Sequence, residues 1–487
     1  MKEPNVLLII LDCVRPDRMS CYGYHKNTTP NMKMISGEST VFENAISVAP
    51  WTLPSHASMF TGLYPSEHGA TTWSSKMRFD VKTLADIMSE NAYETAAVCH
   101  NDGWISKPTG LAKGFNTFYG WNDILTPHIL RRYLRPSCRD LHGLRSLLEF
   151  YNTFILKKDI TSLSISICKR ILKKNKNNPV FLFVNLLNAH FPYYDGLPTR
   201  SLKAFFQRTI EESRKVITRS LRRESIMRKF KQLATKKEFR EDEFKAMNNL
   251  YDACIHYLDC QLGELFKFMK KEEIMDRTLL IITSDHGENI GDYKLIDHEL
   301  SVHDSLIKVP LIIRYPDMFP KNKRIIRQVE TKNIFHTILD VTSISIESTE
   351  QTKGNSFLKI LELKNTDNYT FGEYSPSSEL LSTMALYSSH IDSNDASIRR
   401  FVRTKDFKYV KYENGDEELY CLKGKERKLR QEEYPRIFHR LKNELKMWEK
   451  NLYKYDKNMG KETLSEEEEK KVKERLKALG YLDLTIA

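Results

Sequence analysis

Uninterrupted apolar runs alternate along the chain with segments in which apolar residues recur at helical spacing. The first run, Asn-Val-Leu-Leu-Ile-Ile-Leu-Asp at residues 5–12, ends in an acidic residue. A short run of this kind is typical of a parallel strand that is buried on both faces. Similar runs occupy residues 95–99, 180–187, 279–284 and 309–314.

Helical patterns lie between these strand candidates, for example at residues 81–91 and 244–271. A chain that alternates strands with helices predicts an α/β fold, in which helices cover both faces of the sheet. We therefore expect a doubly wound, mostly parallel sheet flanked by helices.

Two segments interrupt this alternation. Residues 121–178 and 196–245 are basic, have mostly helical patterns and contain few strand signals. We interpret them as insertions that cover the functional edge of a catalytic domain at residues 1–365.

The remaining residues, 366–487, have a different pattern. Asn414-Gly415-Asp416 is a hairpin signal between short strand candidates. Ser465 and the acidic residues after it predict the start of a charged helix that Gly480 ends. We expect a small antiparallel α+β subdomain whose strand candidates are residues 401–404, 409–412 and 418–420.

Composition supports a globular protein with a substantial core. The chain has 487 residues, of which 40% are hydrophobic and 29% are charged, which is enough for one large domain and a smaller one. No apolar run approaches the ~20 residues that span a bilayer, and the first run is too short for a signal peptide. The eight cysteines form no Cys-x-x-Cys pair, so we expect free thiols and a cytoplasmic protein.

The net charge of +12 is compatible with a polyanionic partner or an anionic membrane surface. A lysine-rich composition, without any such partner, would also give this net charge. We favour the second interpretation and expect no nucleic-acid binding, while peripheral membrane contact stays open.

Residues 50–69 contain several hydroxyl-bearing residues, one of which is the candidate nucleophile. It contains Thr52, Ser55 and a Thr61-Gly62 pair, and it predicts a loop that enters a helix with Ser55 as the N-terminal cap. The backbone N–H groups of such a helix start can face an anion. A hydroxyl there can attack a phosphoryl or sulfuryl centre if a metal or a base activates it.

Two acidic residues, Asp12 and Asp285, follow strand candidates directly. The carboxyl ends of parallel strands meet at one edge of a sheet, where ligands bind. Together with His286 and Thr52, these carboxylates make a plausible divalent-cation site. Each acidic residue alone could equally cap the next helix.

The order of these motifs resembles the sulfatase branch of the alkaline phosphatase superfamily, and the resemblance covers nearly the whole chain apart from the two basic insertions. It implies an alkaline phosphatase/sulfatase-like fold and hydrolysis of phosphoric or sulfuric esters. The segments that carry it are residues 5–12, Cys21-Tyr22-Gly23, Thr29-Pro30-Asn31, Thr52-Leu53-Pro54-Ser55-His56, residues 61–65, residues 188–193, residues 284–288, His298, residues 309–313, residues 418–422 and residues 479–482.

The resemblance also implies residue roles and a divalent cation, which we expect to be Ca²⁺, Mn²⁺ or Zn²⁺. The implied metal ligands are Asp12, Thr52, Asp285 and His286. The implied catalytic residues are Thr52, His56, His190 and His298. The implied substrate contacts are His100 and His190.

Four departures from the family pattern change the expected chemistry. Thr52 stands where sulfatases have the Cys or Ser that is oxidised to formylglycine, and oxidation of a Thr would give a ketone. Thr is the nucleophile in phosphodiesterase and phosphoethanolamine-transferase relatives. The other departures are His56 for an Arg, Cys13 for a second Asp, and His286 for an Asn.

We therefore expect a metal-dependent hydrolase that cleaves phosphate monoesters, diesters or phosphonate esters through a covalent phospho-Thr52. His190 or His298 would be the general acid. The substrate would be a small-molecule, glycan-linked or lipid-linked anionic ester. The alternatives are a sulfate-ester hydrolase without formylglycine, a phosphotransferase at a membrane surface, and a non-catalytic metal-binding homologue. The sequence leaves the oligomeric state open.

Overall fold

A computed structural model describes residues 3–72, 75–78, 80–125, 159–191, 193, 201, 205, 224–347, 350–363, 368–388, 391–452 and 463–479. Much of both predicted insertions, at residues 126–158 and 206–223, and the predicted stop at Gly480 lie outside this part of the chain.

The strands of the described residues are β1 Asn5–Leu11, β2 Thr40–Ile46, β3 Glu94–Cys99, β4 Thr117–Tyr119, β5 Val180–Leu186, β6 Thr278–Thr283, β7 Asn289–Ile290, β8 Ile296–Asp297, β9 Lys308–Arg314, β10 Lys323–Glu330, β11 Thr370–Tyr374, β12 Arg399–Arg403, β13 Phe407–Tyr412, β14 Glu417–Cys421 and β15 Arg427–Leu429.

The α-helices are α1 Pro30–Ser36, α2 Thr52–Thr61, α3 Pro65–His68, α4 Leu84–Glu90, α5 Trp121–Leu125, α6 Ile160–Lys174, α7 Glu224–Thr235, α8 Glu241–Lys271, α9 Asp304–Ile307, α10 Asn333–Thr342, α11 Phe357–Glu362, α12 Ser378–Ala385, α13 Pro435–Asn451 and α14 Glu466–Leu479. Short 3₁₀ helices occupy Pro16–Arg18, Ser20–Tyr22, Asp292–Lys294 and Gln431–Glu433.

The large sheet has the strand order β10-β2-β9-β6-β1-β5-β3-β4. Every pairing is parallel except those that β9 makes with β2 and β6. All five predicted strands are present, and the expected mostly parallel α/β sheet is confirmed. Three strands of the large sheet were not predicted from the sequence: β2 and β10 extend one side of it, and β4 forms the opposite edge.

The central strand β1 shows why its residues are all apolar. Leu7, Ile9 and Leu11 contribute to the core on one face of the sheet, and Val6 and Leu8 to the core on the other. Side chains alternate between the faces of a strand, so a strand that is covered on both sides needs an uninterrupted apolar run.

The second sheet has the order β11-β12-β13-β14-β15 and is antiparallel throughout. Helix α13 packs on one face, where Val402, Tyr409 and Leu441 share a core. The other face adds Phe401 and Val410 to a core of the large sheet. The small antiparallel subdomain is thus present with two more strands than predicted, while its boundary at residue 365 stays a prediction.

Among the described residues, none of the helices is both long and apolar enough to span a bilayer. The seven cysteines that the structure describes are all free, as expected. In the part of the predicted insertions that the structure describes, α5, α6, α7 and the start of α8 follow the expected helical pattern.

Candidate active site

Asp12 and Asp285 lie side by side because each follows one of two adjacent parallel strands, β1 and β6. Both side chains are fully buried. Oδ2 of Asp12 accepts hydrogen bonds from the Asn101 amide at 3.2 Å and the Asn185 amide at 3.1 Å. These two donors hold the carboxylate so that Oδ1 lies 4.0 Å from Nε2 of His286.

The two oxygens of Asp285 have different environments. Oδ1 accepts the backbone N–H of His286 at 2.9 Å and that of Cys13 at 3.4 Å. Oδ2 has no hydrogen-bond partner in the described part of the chain, and it lies 3.3 Å from Nε2 of His286. A buried carboxylate oxygen without a donor is costly unless a cation is nearby, so Oδ2 points to a cation-binding position.

Thr52 is the first residue of α2, and the prediction that Ser55 caps this helix is wrong. The capping position belongs to Trp51, whose extended backbone precedes the helix and whose carbonyl accepts the backbone N–H of Ser55. Ser55 therefore lies in the first turn, where its hydroxyl donates to the carbonyl of Asp285 at 2.7 Å. This bond ties the helix start to the end of β6.

The helix start places the Thr52 hydroxyl among the predicted ligands. Oγ1 lies 3.3 Å from Nε2 of His286 and accepts a hydrogen bond from the Asn101 amide at 3.4 Å. His286 Nδ1 donates to the carbonyl of Gly287 at 2.9 Å. That bond leaves Nε2 as the ring's lone-pair nitrogen, turned towards Thr52.

His56 lies beneath this group, one turn into α2. Its Nδ1 is 2.9 Å from the carbonyl of Thr52 and 3.6 Å from Oδ2 of Asp285. The ring packs edge-on against Phe60 and Phe183. The structure thus brings His56 to Asp285, and its catalytic role stays a prediction.

His100 is buried, and both of its ring nitrogens have protein partners. Nε2 lies 2.9 Å from the Ser164 hydroxyl, and Nδ1 accepts the backbone N–H of Leu187 at 3.3 Å. Burial lowers the pKa of His100 to about 3, so the ring is neutral. Its neighbour Asn101 makes the contacts to Asp12 and Thr52, and substrate binding by His100 stays a prediction.

His190 and His298 lie together beside His286. The rings of His190 and His298 are 5.0 Å apart between centroids, and those of His286 and His298 are 4.4 Å apart. His190 Nδ1 bonds to the carbonyl of Phe191, and His298 Nδ1 contacts the carboxylate of Asp297. Their predicted roles as proton donors stay predictions.

Burial and neighbouring charges shift the pKa values of Asp12, Asp285 and His286. Burial and the nearby Asp285 raise the pKa of Asp12. Burial acts to raise the pKa of Asp285, but His286 and His56 hold it well below its usual value. For His286, burial acts to lower the pKa, and Asp285 raises it above its usual value. The lone pair of His286 Nε2 therefore takes up a proton more readily than that of a free imidazole, and a bound cation would occupy the same position in place of the proton.

The predicted ligand set fits a divalent cation. Oγ1 of Thr52 and Oδ2 of Asp285 each lie 3.3 Å from His286 Nε2, and Oδ1 of Asp12 lies 4.0 Å from it. Ligand atoms about 2.1 Å from a tetrahedral ion are separated by about 3.4 Å. Three oxygens and one imidazole are donors that Mn²⁺ and Zn²⁺ accept, while Ca²⁺ would add further oxygens.

The sequence analysis missed several residues that surround this group. Asn185 interrupts the apolar pattern of β5, which was a readable signal. Glu288 and Asp297 are buried acidic residues near His298, and Glu288 follows the Asp-His-Gly motif directly. Lys229 of α7 pairs with Asp297, and no sequence signal identifies that contact.

Two family models and several known proteins match this chain. The family model described as Sulfatase matches residues 4–344, and the model described as N-sulphoglucosamine sulphohydrolase, C-terminal, matches residues 291–451. The chain is 23% identical over 446 residues to a sulfatase of Formosa agariphila, which covers 86% of this chain and 80% of the relative. It is 23% identical over 492 residues to an N-acetylglucosamine-6-O-sulfatase of Bacteroides thetaiotaomicron, which covers 88% and 82%.

Solved structures share the fold. A protein solved in complex with its substrate D-glucosamine-2-N,6-O-disulfate superposes with a TM-score of 0.67 at 18% identity, over 93% of this chain and 99% of that protein. The phosphonate monoester hydrolase of Agrobacterium radiobacter superposes with a TM-score of 0.65 at 20% identity, over 86% and 89%.

Proposed function

The chain belongs to the sulfatase family, a family of ester hydrolases, and we propose that it is a metal-dependent hydrolase that cleaves phosphate monoesters, phosphate diesters or phosphonate esters with Thr52 as the nucleophile. The substrate class we favour is an anionic ester carried by a small molecule, a glycan or a lipid.

The observation that carries this proposal is the position of the Thr52 hydroxyl. Its Oγ1 lies 3.3 Å from His286 Nε2, within the group that Asp12 and Asp285 complete. Three serine hydroxyls nearby donate to backbone carbonyls: those of Ser47 and Ser55 to Asp285, and that of Ser284 to Leu11 or His286. The Thr52 hydroxyl instead faces the ligand group.

Each residue of the site has its own role in the proposed reaction. Asp12, Asp285 and His286 would hold the divalent cation, which supplies positive charge beside the Thr52 oxygen and the anionic substrate. Asn101 orients that oxygen through its amide. The N-terminal end of the ten-residue helix α2 favours negative charge at the same place.

Thr52 Oγ1 would lose its proton and attack phosphorus while the bond to the leaving oxygen breaks. A monoester gives a phosphothreonine, a diester gives its ester, and a phosphonate ester gives a phosphonothreonine. Water would then attack the phosphorus and restore the hydroxyl. The leaving oxygen takes up a proton, for which the sequence predicts His190 or His298 as donor.

An assay on the purified protein tests this reaction. Aryl phosphate, bis-aryl phosphate, an aryl phosphonate ester and aryl sulfate would each be tested with Mn²⁺, Zn²⁺ and Ca²⁺. We expect turnover of a phosphorus ester, and its loss by roughly 10³-fold or more in Thr52→Ala, as for other covalent nucleophiles. Intact-mass spectrometry should detect one phosphoryl group on the wild type and none on Thr52→Ala.

Thr61→Ala is the matched control, because Thr61 lies at the other end of α2 and its hydroxyl donates to the carbonyl of Ala57. This variant should keep its turnover. Turnover that survives in Thr52→Ala would refute the nucleophile.

Hydrolysis of a sulfate ester without formylglycine is the second candidate. The matched family models and the relatives from Formosa agariphila and Bacteroides thetaiotaomicron favour it. The same assay separates the two, because a sulfatase would turn over aryl sulfate in preference to the phosphorus esters.

A further inference from the structure

A cavity of about 170 Å³ lies between the small sheet and the loop of residues 298–303, which follows β8. Residues 300–303 of that loop form one wall, and Arg399 of β12 with Val410 of β13 form another. None of the residues proposed to hold the cation or to act as the nucleophile lines this cavity. It is therefore a site apart from the one described above, although His298 begins the same loop.

Arg399 is a buried cation without an anionic partner. It is 2% exposed, and its terminal N–H groups donate to the carbonyls of Leu300 and Asn394. The rings of Tyr374 and Tyr412 lie 5.2 and 5.3 Å from its central carbon. In the part of the chain that the structure describes, Nε has no hydrogen-bond partner and no carboxylate forms an ion pair with the guanidinium. Carbonyls and rings fix its orientation, but they supply no counter-charge.

The Ser301 hydroxyl is a second unpaired group at the same cavity. Ser301 is 4% exposed, and its Oγ has no hydrogen-bond partner among the described residues. It follows Leu300, whose carbonyl binds Arg399, so the two unpaired groups come from neighbouring positions in the wall. Buried donors are costly unless something supplies an acceptor. One charged and one neutral donor together favour an acceptor with negative charge.

The acidic residues around the cavity already have partners. Glu418 accepts hydrogen bonds from two tyrosine hydroxyls of the wall, at 2.6 Å each, and from Lys428 at 2.7 Å. Asp395 lies 3.6 Å from the ammonium of Lys236. Asp392 accepts a backbone N–H two residues along the chain at 2.9 Å. The counter-charge for the guanidinium is therefore left to a ligand.

The rest of the wall suits a ring. Tyr293, Tyr412 and Tyr420 contribute aromatic side chains, and Leu295 and Val410 contribute aliphatic ones. A protein cavity of about 150 Å³ is large enough to bind benzene, so this one accommodates a six-membered ring. Small-molecule sites commonly combine such surfaces with a few polar groups that orient the ligand.

We propose that this cavity binds a small organic carboxylate with a single six-membered ring. The carboxylate accepts hydrogen bonds from Arg399 Nε and from the Ser301 hydroxyl, and the ring lies against the tyrosines. Arginine is well suited to this contact because its N–H groups match the geometry of a carboxylate. The ligand is not the ester of the reaction proposed above, so the proposal goes beyond that function and does not depend on it.

Calorimetric titration of the chelator-treated, full-length protein with benzoate tests the site. Benzoate has both the ring and the carboxylate, and benzyl alcohol is its uncharged counterpart. Removing metal ions prevents coordination of the probe at the candidate active site. We expect one benzoate per chain and roughly tenfold weaker binding of benzyl alcohol, which lacks the charge that strengthens the hydrogen bond to Arg399.

Variants on either wall identify the contacts. Arg399→Lys keeps the charge but removes the Nε–H, and it should weaken benzoate binding roughly tenfold. Ser301→Ala should weaken it roughly fivefold. Arg400→Lys, at the partly exposed arginine next along β12, and Ser397→Ala, whose hydroxyl donates to the carbonyl of Ile398, are the matched controls. Both should bind benzoate as the wild type does.

Hydrogen exchange locates the bound probe. Because residues 300–303 form a wall of the cavity, benzoate should hold this loop in its closed form. At a concentration of about five times Kd, exchange that requires the loop to open should slow roughly sixfold. Exchange in helix α13 should be unchanged.

Three results would overturn the proposal. They are the absence of benzoate binding, which would leave water as the occupant, equally tight binding of benzyl alcohol, and benzoate binding that neither Arg399→Lys nor Ser301→Ala weakens. Circular dichroism would verify that each variant is folded, and Ser301→Ala, which removes a single hydroxyl, keeps the test decisive if Arg399→Lys is not. Because these readouts do not use turnover, they stand or fall separately from the role of Thr52.

Discussion

At the scale of single residues, the site depends on side chains that fix the orientation of others. Asn101 and Asn185 hold one oxygen of Asp12, which turns the other towards His286. Ser55 holds the backbone of Asp285. Each of these acceptors has two donors, so removing one donor would loosen the acceptor's orientation and cost about one hydrogen bond, or about 1 kcal/mol.

His68, which is not a predicted metal ligand, tests how the burial of a histidine makes stability depend on pH. Nδ1 accepts the backbone N–H of Ala70 at 3.2 Å, and Nε2 lies 3.0 Å from the Ser58 hydroxyl. Burial lowers its pKa to about 3, below the unfolded value of about 6.5. The unfolded chain therefore binds a proton more readily, so the stability that the neutral ring contributes is present above about pH 6.5 and is lost as the pH falls.

We expect the free energy of unfolding in urea to fall between pH 7.5 and pH 5.5, with about 1 kcal/mol of the fall due to His68. His68→Gln should reduce the fall by that amount. His439→Gln, at an exposed histidine, should leave it unchanged. An equal fall in the wild type and His68→Gln would contradict the prediction.

At the scale of elements, helix α2 is positioned at both ends. Its first residue is Thr52, and it ends at Gly62, whose φ of 75° is in the left-handed region. A Cβ at Gly62 would lie 2.7 Å from His336 and 2.8 Å from Phe335 of α10. The close approach of these two helices therefore requires a glycine at this position.

Gly62→Ala should destabilise the protein by about 2–4 kcal/mol. The left-handed backbone contributes about 1 kcal/mol, and the steric overlap adds about 1–3 kcal/mol. Gly415→Ala isolates the backbone cost, because Gly415 has a φ of 99° with no atom within 4 Å of its Cβ position. Thermal or urea unfolding of both variants measures the difference, and equal losses would show that the packing against α10 is unimportant.

At the scale of the whole molecule, buried charges join the two sheets. Lys408 of β13 is fully buried. Its ammonium lies 3.3 Å from Asp304, at the start of α9, and 2.7 Å from Glu426, and it donates to the carbonyl of Val302. The loop that follows His298 is thus anchored on the small sheet, so the stability of that sheet supports the geometry of the site.

Lys408→Met should cost about 3–5 kcal/mol in the free energy of unfolding, because it leaves buried carboxylates without this cation. Lys411→Met is the control on the same strand, since Lys411 is 44% exposed in its pair with Glu449, and exposed pairs contribute under about 1 kcal/mol. Urea unfolding measures both, and similar losses would mean that the buried pair does not join the sheets.

The sequence by itself determined the strands of the large sheet that have long apolar runs, the two acidic residues at their ends and the hydroxyl of Thr52. These features are local, because periodicity and strand ends can be read from neighbouring residues. Only the tertiary structure decided that Asn101 and Asn185 hold Asp12, that Lys229 reaches Asp297, and that Cys13 lies near His190 and His298. Those contacts join residues far apart in the chain, and their geometry depends on how whole elements pack rather than on any pattern along the sequence.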